Sequence, residues 1–198
     1  DAKIHAIVGN LLWNCGVAEK DQYGEVKCIF DFYKNNVRYT RDPYNIETFQ
    51  TAIYTLTNRR ADCDDGTICL RTMLQSLGYK TRSKVIQTNN ADNWNHIFAS
   101  VEVPRGSGRW VMLDPTVPHP MGWEAPPQMV KRSLEYPMNG LGYFDPVLIN
   151  YLAQRKRPTK VYQPLGYFDP ETIKFLQVSG PTQVYQPLQL RHHCWADA

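Results

Sequence analysis

No stretch of the 198-residue sequence approaches the ~18 consecutive apolar residues of a membrane-crossing helix, so a membrane partner is not expected. Concentrated positive charge is also missing. Lys and Arg number 22 against 19 Asp and Glu, a net charge of +3 that is spread along the chain. The densest group, Arg155-Lys156-Arg157 before Pro158, reads as a solvated connector, and nucleic acid is not an expected partner. Cysteine is scarce and odd in number (Cys15, Cys28, Cys63, Cys69, Cys194), with no CxxC pair, which argues against a zinc ribbon or a disulfide scaffold. Free thiols in a reducing, cytoplasmic compartment fit this pattern best, with room for one or two bridges. Asp1-Ala2-Lys3 begins no signal-peptide pattern, so the cellular address is not legible from that end.

What remains is an ordinary globular balance, 42% hydrophobic and 21% charged, long enough for one good domain and an appendage. Ile4, Ile7, Val8, Leu11 and Leu12 form a helical stripe that Gly16 ends. Val26 to Val37 repeats the pattern, and Arg38 to Pro43 reads as a loop. A third helix is expected after the acidic cluster Asp62 to Asp65, carrying Ile68, Leu70, Met73, Leu74 and Leu77 before a stop at Gly78. Strands are expected over Lys80 to Gln87, Ile97 to Val103 and Trp110 to Leu113, with a turn at Pro104-Arg105-Gly106-Ser107-Gly108. Helices followed by a small antiparallel sheet make an α+β class.

Beyond about residue 118 the prolines at 118, 120, 126 and 127 interrupt regular structure. A repeat follows, LGYFDPVLINYLAQRKRPTKVYQPL over 141–165 and LGYFDPETIKFLQVSGPTQVYQPL over 165–188. Asp145-Pro146 and Asp169-Pro170 each look like a helix N-cap with Pro at the first turn, ahead of an extended PTxVYQPL segment. Residues 1–135 therefore read as a catalytic domain and 136–198 as an extension of two repeats of about 24 residues. The extension either decorates that domain or docks an assembly partner.

Chemistry points to three residues. A cysteine nucleophile needs its thiolate, which a helix N-terminus and a neighbouring histidinium both favour. Cys63 stands at the start of the third helix. His96 lies beside the start of one strand and Asp114 ends the next, so adjacent strands can bring them together, with Asp114 on Nδ1 and Nε2 facing Cys63. Each residue alone is ordinary: a buried thiol, a core histidine, a turn before Pro115.

The flanking residues make the pattern specific. Arg60-Ala61-Asp62-Cys63-Asp64-Asp65-Gly66, with the helix ending in Leu77-Gly78-Tyr79, resembles the nucleophile segment of the transglutaminase-like superfamily. Asn95 to Val103 resembles its histidine strand and Gly108 to Thr116 its aspartate strand. Ile29 to Phe32 and Asn36-Val37-Arg38-Tyr39 resemble the helix and loop upstream in bacterial and phage members. The resemblance covers about residues 20 to 118 and implies a papain-like fold with a Cys63–His96–Asp114 triad. Ala61 departs from the Gly common two places before the nucleophile. Nothing resembles the extra domains of animal transglutaminases, so glutamine–lysine cross-linking is not favoured.

The resemblance implies a cysteine-dependent amide hydrolase, a peptidase or isopeptidase working through a thioester on a protein or peptide substrate. Acyl transfer by the same triad, or a structural role such as a phage virion component, are the alternatives. No organic cofactor is required. The backbone N–H of Cys63 is one expected oxyanion donor, and Gln50 and Tyr54 are both candidates for the second. Asp62, Asp64 and Asp65 read first as helix-capping groups. Asp62 and Asp64 also match positions that bind calcium in some bacterial relatives, so calcium is the metal the resemblance allows. His192-His193-Cys194 reads as a tail, because three adjacent ligands rarely fit one metal site.

Overall fold

The computed structural model describes residues 2–44, 46–137, 159–162 and 183–185. Helices α1 (Ala2–Cys15) and α2 (Gln22–Asn36) open the chain. Asp21 starts α2 four residues earlier than hydrophobic periodicity suggests, because its carboxylate accepts the Gly24 N–H at 2.9 Å. Two short pieces follow: β1 (Arg38–Tyr39), inside the segment expected to be a loop, and β2 (Glu47–Gln50). Helix α3 (Ala52–Asn58) and β3 (Arg60–Ala61) then lead into α4 (Cys63–Ser76). None of β1, β2, α3 or β3 has enough residues to generate a readable period.

The sheet that carries the site contains β4 (Thr81–Thr88), β5 (His96–Glu102), β6 (Trp110–Leu113) and β7 (Val130–Pro137), all antiparallel in the order β6-β5-β4-β7. The expected strands are present. Strand β7 is added beyond the prolines that interrupt the preceding segment, on the outer side of β4, an edge position that tolerates its final Pro. Gly106 and Gly108 turn the chain between β5 and β6 with φ of +77° and +72°. Glu102 fixes the turn by accepting the Gly108 N–H at 2.8 Å.

Helix α4 lies across β5 and is the hub of the core. Leu70, Met73 and Leu74 on its inner face meet Ile4 and Val8 of α1, Val26, Ile29 and Phe30 of α2, and Ala99 and Val101 of β5, all buried. These are the i, i+3, i+4 positions of three amphipathic helices, and each large side chain so buried contributes roughly 1.5–3 kcal/mol. The helix ends where expected, at Gly78 with φ +84°.

The cysteine pattern left room for one or two bridges beside free thiols, and among the described residues one bridge is made. Cys15 at the end of α1 is bonded to Cys28 in α2, while Cys63 and Cys69 are free and buried. The pairing depends on how the two helices pack, which their sequence spacing of 13 does not reveal. A disulfide fits an oxidising compartment better than the reducing one that the cysteine pattern suggested.

A second, parallel sheet joins β2 to β8 (Thr159–Tyr162) and β9 (Gln183–Tyr185), in the order β2-β8-β9. The expected helix starts at Asp145 and Asp169, the basic trio at 155–157 and the tail at 192–194 lie outside the described residues.

Candidate active site

Cys63 is the first residue of α4, and only 6% of its surface is exposed. Its neighbours explain why the helix begins there. Asp62 is extended (φ −96°, ψ −158°) and its carboxylate accepts the Asp65 N–H at 3.3 Å. One turn on, Thr67 donates its hydroxyl to the Cys63 carbonyl (2.7 Å) and contacts the Ile97 carbonyl at 3.3 Å. Ile97 follows His96 on β5, so a single hydroxyl links the nucleophile's helix to the histidine's strand.

His96 begins β5 and Asp114 follows β6. The register pairs Ala99 with Leu113, so one further step sets Asp114 opposite Phe98, two residues along the same face from His96. His96 Nε2 and Asp114 Oδ2 are 2.7 Å apart. Cys63 lies near enough to raise the proton affinity of the same ring. The expected contact of His96 with Asp114 is made, with the ring turned the other way. Nε2, the nitrogen far from the backbone, reaches across to the next strand and makes the contact with Asp114 that is expected of Nδ1. Asp114 is held by Thr116, whose N–H and hydroxyl donate to Oδ1 at 3.0 and 2.6 Å.

These contacts set the charges. Burial alone would push the His96 ring down. The hydrogen bond that the ring donates to Asp114, then the interaction with Cys63, and the charge of both outweigh it and hold the ring at about 10. For Asp114 burial works upward, but the His96 bond and charge, with the Thr116 bonds, keep it below the usual carboxylate range. A histidine whose proton is held by a carboxylate, close to a cysteine, is an arrangement that favours a thiolate nucleophile.

Beside the nucleophile, carboxylate oxygens of Asp62, Asp64 and Asp65 lie within 4.8 Å of one another, all buried. Burial first, and then the charge of Asp62, push Asp64 and Asp65 well above the carboxylate range. Asp65 is clasped by Gln50, whose backbone N–H and side-chain amide each donate at 2.7 Å. Asp64 Oδ1 accepts the Asp65 N–H at 2.8 Å, but Asp64 Oδ2 has no hydrogen-bond partner. Capping therefore accounts for Asp62 and only partly for the other two.

The model of the transglutaminase-like superfamily matches residues 14–115, more than half of the chain. The chain belongs to that superfamily. Among solved structures, EGTA-treated LapG of Legionella pneumophila superposes with a TM-score of 0.50 at 16% identity, covering 75% of this chain and 88% of that one. A Cytophaga hutchinsonii protein assigned as a cysteine protease gives 0.43 at 20% identity, over 58% of this chain and 37% of that one. No curated protein sequence matches.

Within this superfamily fold the two expected oxyanion donors are placed differently from each other. Gln50 has its amide N–H on Asp65, with Oε1 buried and unpartnered. Tyr54 sits in the first turn of α3, its backbone N–H on the Thr51 hydroxyl at 3.3 Å. Sequence reasoning overlooked Tyr39, although it quoted the motif that holds it. Strand β1 pairs in parallel with β3, Tyr39 opposite Ala61, and the Thr40 N–H donates to the Ala61 carbonyl at 2.9 Å. Since Asp62 continues extended, Cys63 lies on the same side as Ala61 and hence as Tyr39. Partial burial, then the charges of Cys63 and Asp62, push the Tyr39 phenol up to about 12. Tyr39 remains 48% exposed, a phenol beside the nucleophile and open to solvent.

Proposed function

We propose that this protein is a cysteine-dependent amide hydrolase, a peptidase or isopeptidase, acting through Cys63, His96 and Asp114. The supporting observation is the ring of His96 hydrogen-bonded to Asp114 at 2.7 Å through Nε2, with Cys63 near enough to raise the proton affinity of that ring. Cys63 Sγ attacks the amide carbonyl carbon, and the negative charge moves onto the carbonyl oxygen. As the C–N bond breaks, His96 gives its proton to the leaving amine, and a thioester remains. His96 then takes a proton from water, whose oxygen attacks the thioester and releases the acid. Asp114 keeps the ring oriented and its charge favourable throughout. The oxyanion is received by the backbone N–H of Cys63 at the head of α4 and by the Tyr39 phenol. Aminolysis of the same thioester would give acyl transfer, and the supply of water against amine to the cleft decides between the two outcomes.

The acidic cluster fits a hard dication such as calcium. Three buried carboxylates converge, and one buried oxygen of Asp64 has no other partner. Asp62, Asp64 and Asp65 would hold the ion, which when bound supplies positive charge that offsets carboxylates opposing the Cys63 thiolate. Calorimetric titration with calcium chloride tests this directly. The cation reading predicts saturable binding that Asp64→Asn abolishes, and an absence of binding heat contradicts it.

The catalytic reading is tested by iodoacetamide labelling with peptide mapping, in wild type and His96→Ala. Cys63 is expected to react well below the pH at which Cys69 does, and to lose that advantage in the variant. Equal labelling of Cys63 in both proteins would sink the reading. Peptide amides with and without an added primary amine then separate hydrolysis from transfer.

A further inference from the structure

Positive charge is spread thinly along the sequence, but folding gathers four arginines beside the nucleophile. Strands β1 and β3 pair in parallel and set Arg38 directly opposite Arg60. Arg59, the residue before β3, offers its carbonyl to the Arg38 N–H at 2.9 Å. Arg41 comes two residues after Tyr39, and its charge acts on the Tyr39 phenol. All four arginines are exposed.

This patch opposes the fold in three ways. Like charges side by side on paired strands repel, and Arg38 and Arg60 are so placed. No acid offsets them: among the described residues, no ion pair involves Arg38, Arg41, Arg59 or Arg60. Arg59 also closes α3 in left-handed backbone, with φ +54° and ψ 33°. Glycine is the residue favoured there, and a side chain costs free energy. The turn therefore gains nothing from the Arg59 side chain, whose charge is free to meet something outside the chain.

Position and chemistry indicate what that is. Arg60 precedes Cys63 by three residues, at most about 11 Å along an extended chain. A peptide lying extended over Cys63 advances about 3.4 Å per residue, so side chains about two to five residues from the attacked amide come within an arginine's reach. Guanidinium groups take carboxylates through paired N–H donors. We propose that Arg38, Arg41, Arg59 and Arg60 form a subsite that selects protein or peptide substrates with carboxylate side chains near the scissile amide. The subsite presupposes the catalytic reading of Cys63 and adds to it the class of substrate. A peptide is favoured over nucleic acid because the arginines share their ribbon with Tyr39 and lead directly into the nucleophile's helix.

Fluorescence anisotropy on the full chain carrying Cys63→Ala measures binding without turnover. The probes are fluorescein-labelled peptides of alanine, glycine and serine, alike except that one carries paired glutamates and the other paired glutamines. The glutamate peptide is expected to bind at least about ten-fold more tightly, with the preference fading as salt is raised. Arg38→Gln combined with Arg60→Gln is expected to remove that preference. Arg59→Gly is expected to weaken the glutamate peptide while Tm stays level or rises, which a purely structural arginine would not give. Equal binding of the two peptides, or a glutamate preference that survives the double substitution, overturns the proposal. So does tighter, arginine-dependent binding of a single-stranded oligodeoxynucleotide of the same net charge, which would make the patch a nucleic-acid site. The binding assay needs no thiol, so its failure is distinct from failure of the catalytic reading, which iodoacetamide labelling of Cys63 reports.

Discussion

Gln50 clasps Asp65 with both its backbone N–H and its side-chain amide, each at 2.7 Å. Gln50, one of the two residues that upstream placement suggested as oxyanion donors with Tyr54, is therefore a brace between β2 and the head of α4. Tyr39 pairs through β1 and β3 with the residue two before the nucleophile, which is why it is proposed as a donor beside the Cys63 backbone N–H.

This difference is measurable with two small reagents. Iodoacetamide is attacked at a saturated carbon and develops no oxyanion, whereas 4-nitrophenyl acetate does. Tyr39→Phe is expected to lower ester turnover about 100-fold while leaving alkylation of Cys63 unchanged. Gln50→Ala should alter both modestly, through a loosened α4. Equal ester turnover in wild type and Tyr39→Phe would remove Tyr39 from the reaction.

The pH dependence of stability follows from the pair on β5 and β6. His96 is raised from its ordinary 6.5 to about 10, so the folded protein holds that proton more tightly than the unfolded chain. Its stabilisation is complete below pH 6.5 and is lost as pH rises towards 10. Asp114 is lowered, so its stabilisation is complete above its ordinary 3.8 and is lost as pH falls below that. The difference in unfolding free energy between wild type and His96→Ala should therefore shrink steadily between pH 6.5 and 10. Urea melts at intervals across that window measure it, and a constant difference contradicts the assignment.

Gly66 is required for steric reasons. A Cβ there would meet the Tyr33 hydroxyl at 2.8 Å, but the next ring atom, Cζ, at 3.4 Å. Gly66→Ala is expected to destabilise by about 1–3 kcal/mol. Because the hydroxyl makes the closest contact, Tyr33→Phe in the same chain should recover much of that loss, a non-additivity that a double-mutant cycle reads directly.

Reduction of Cys15–Cys28 removes a cross-link over a short loop, which is worth about 3 kcal/mol and lowers Tm by about 10 °C in a domain of this size. Thermal melts with and without dithiothreitol, using Cys15→Ser as a control that no longer responds, check this.

The long amphipathic elements were legible because their buried stripes repeat: Val26, Ile29, Phe30 and Tyr33 on α2, and Leu70, Met73 and Leu74 on α4. Cys63, His96 and Asp114 were read from the segments around them, and the fold sets His96 against Asp114 at 2.7 Å with Cys63 at the head of α4. The rest depended on contacts between elements distant in sequence. Nothing in the order of residues tells which imidazole nitrogen reaches the next strand. Cys15 meets Cys28 only because two helices lie side by side, and Tyr39 comes beside Cys63 only through two-residue strands too short to leave a pattern.

The hydroxyl of Thr67 fastens the first turn of α4 to β5 at the residue after His96. Cys63 and His96 thus cannot drift apart independently, and their alignment is inherited from the seat of the whole helix. Fourteen residues make a lever of about 20 Å, with the nucleophile at one end and the apolar anchors Leu70 and Met73 further along. Trimming an anchor tips that lever by a fraction of an ångström at the sulfur, where tolerance is smallest. Turnover should accordingly respond to core substitutions far from the cleft while the molecule as a whole still melts cooperatively.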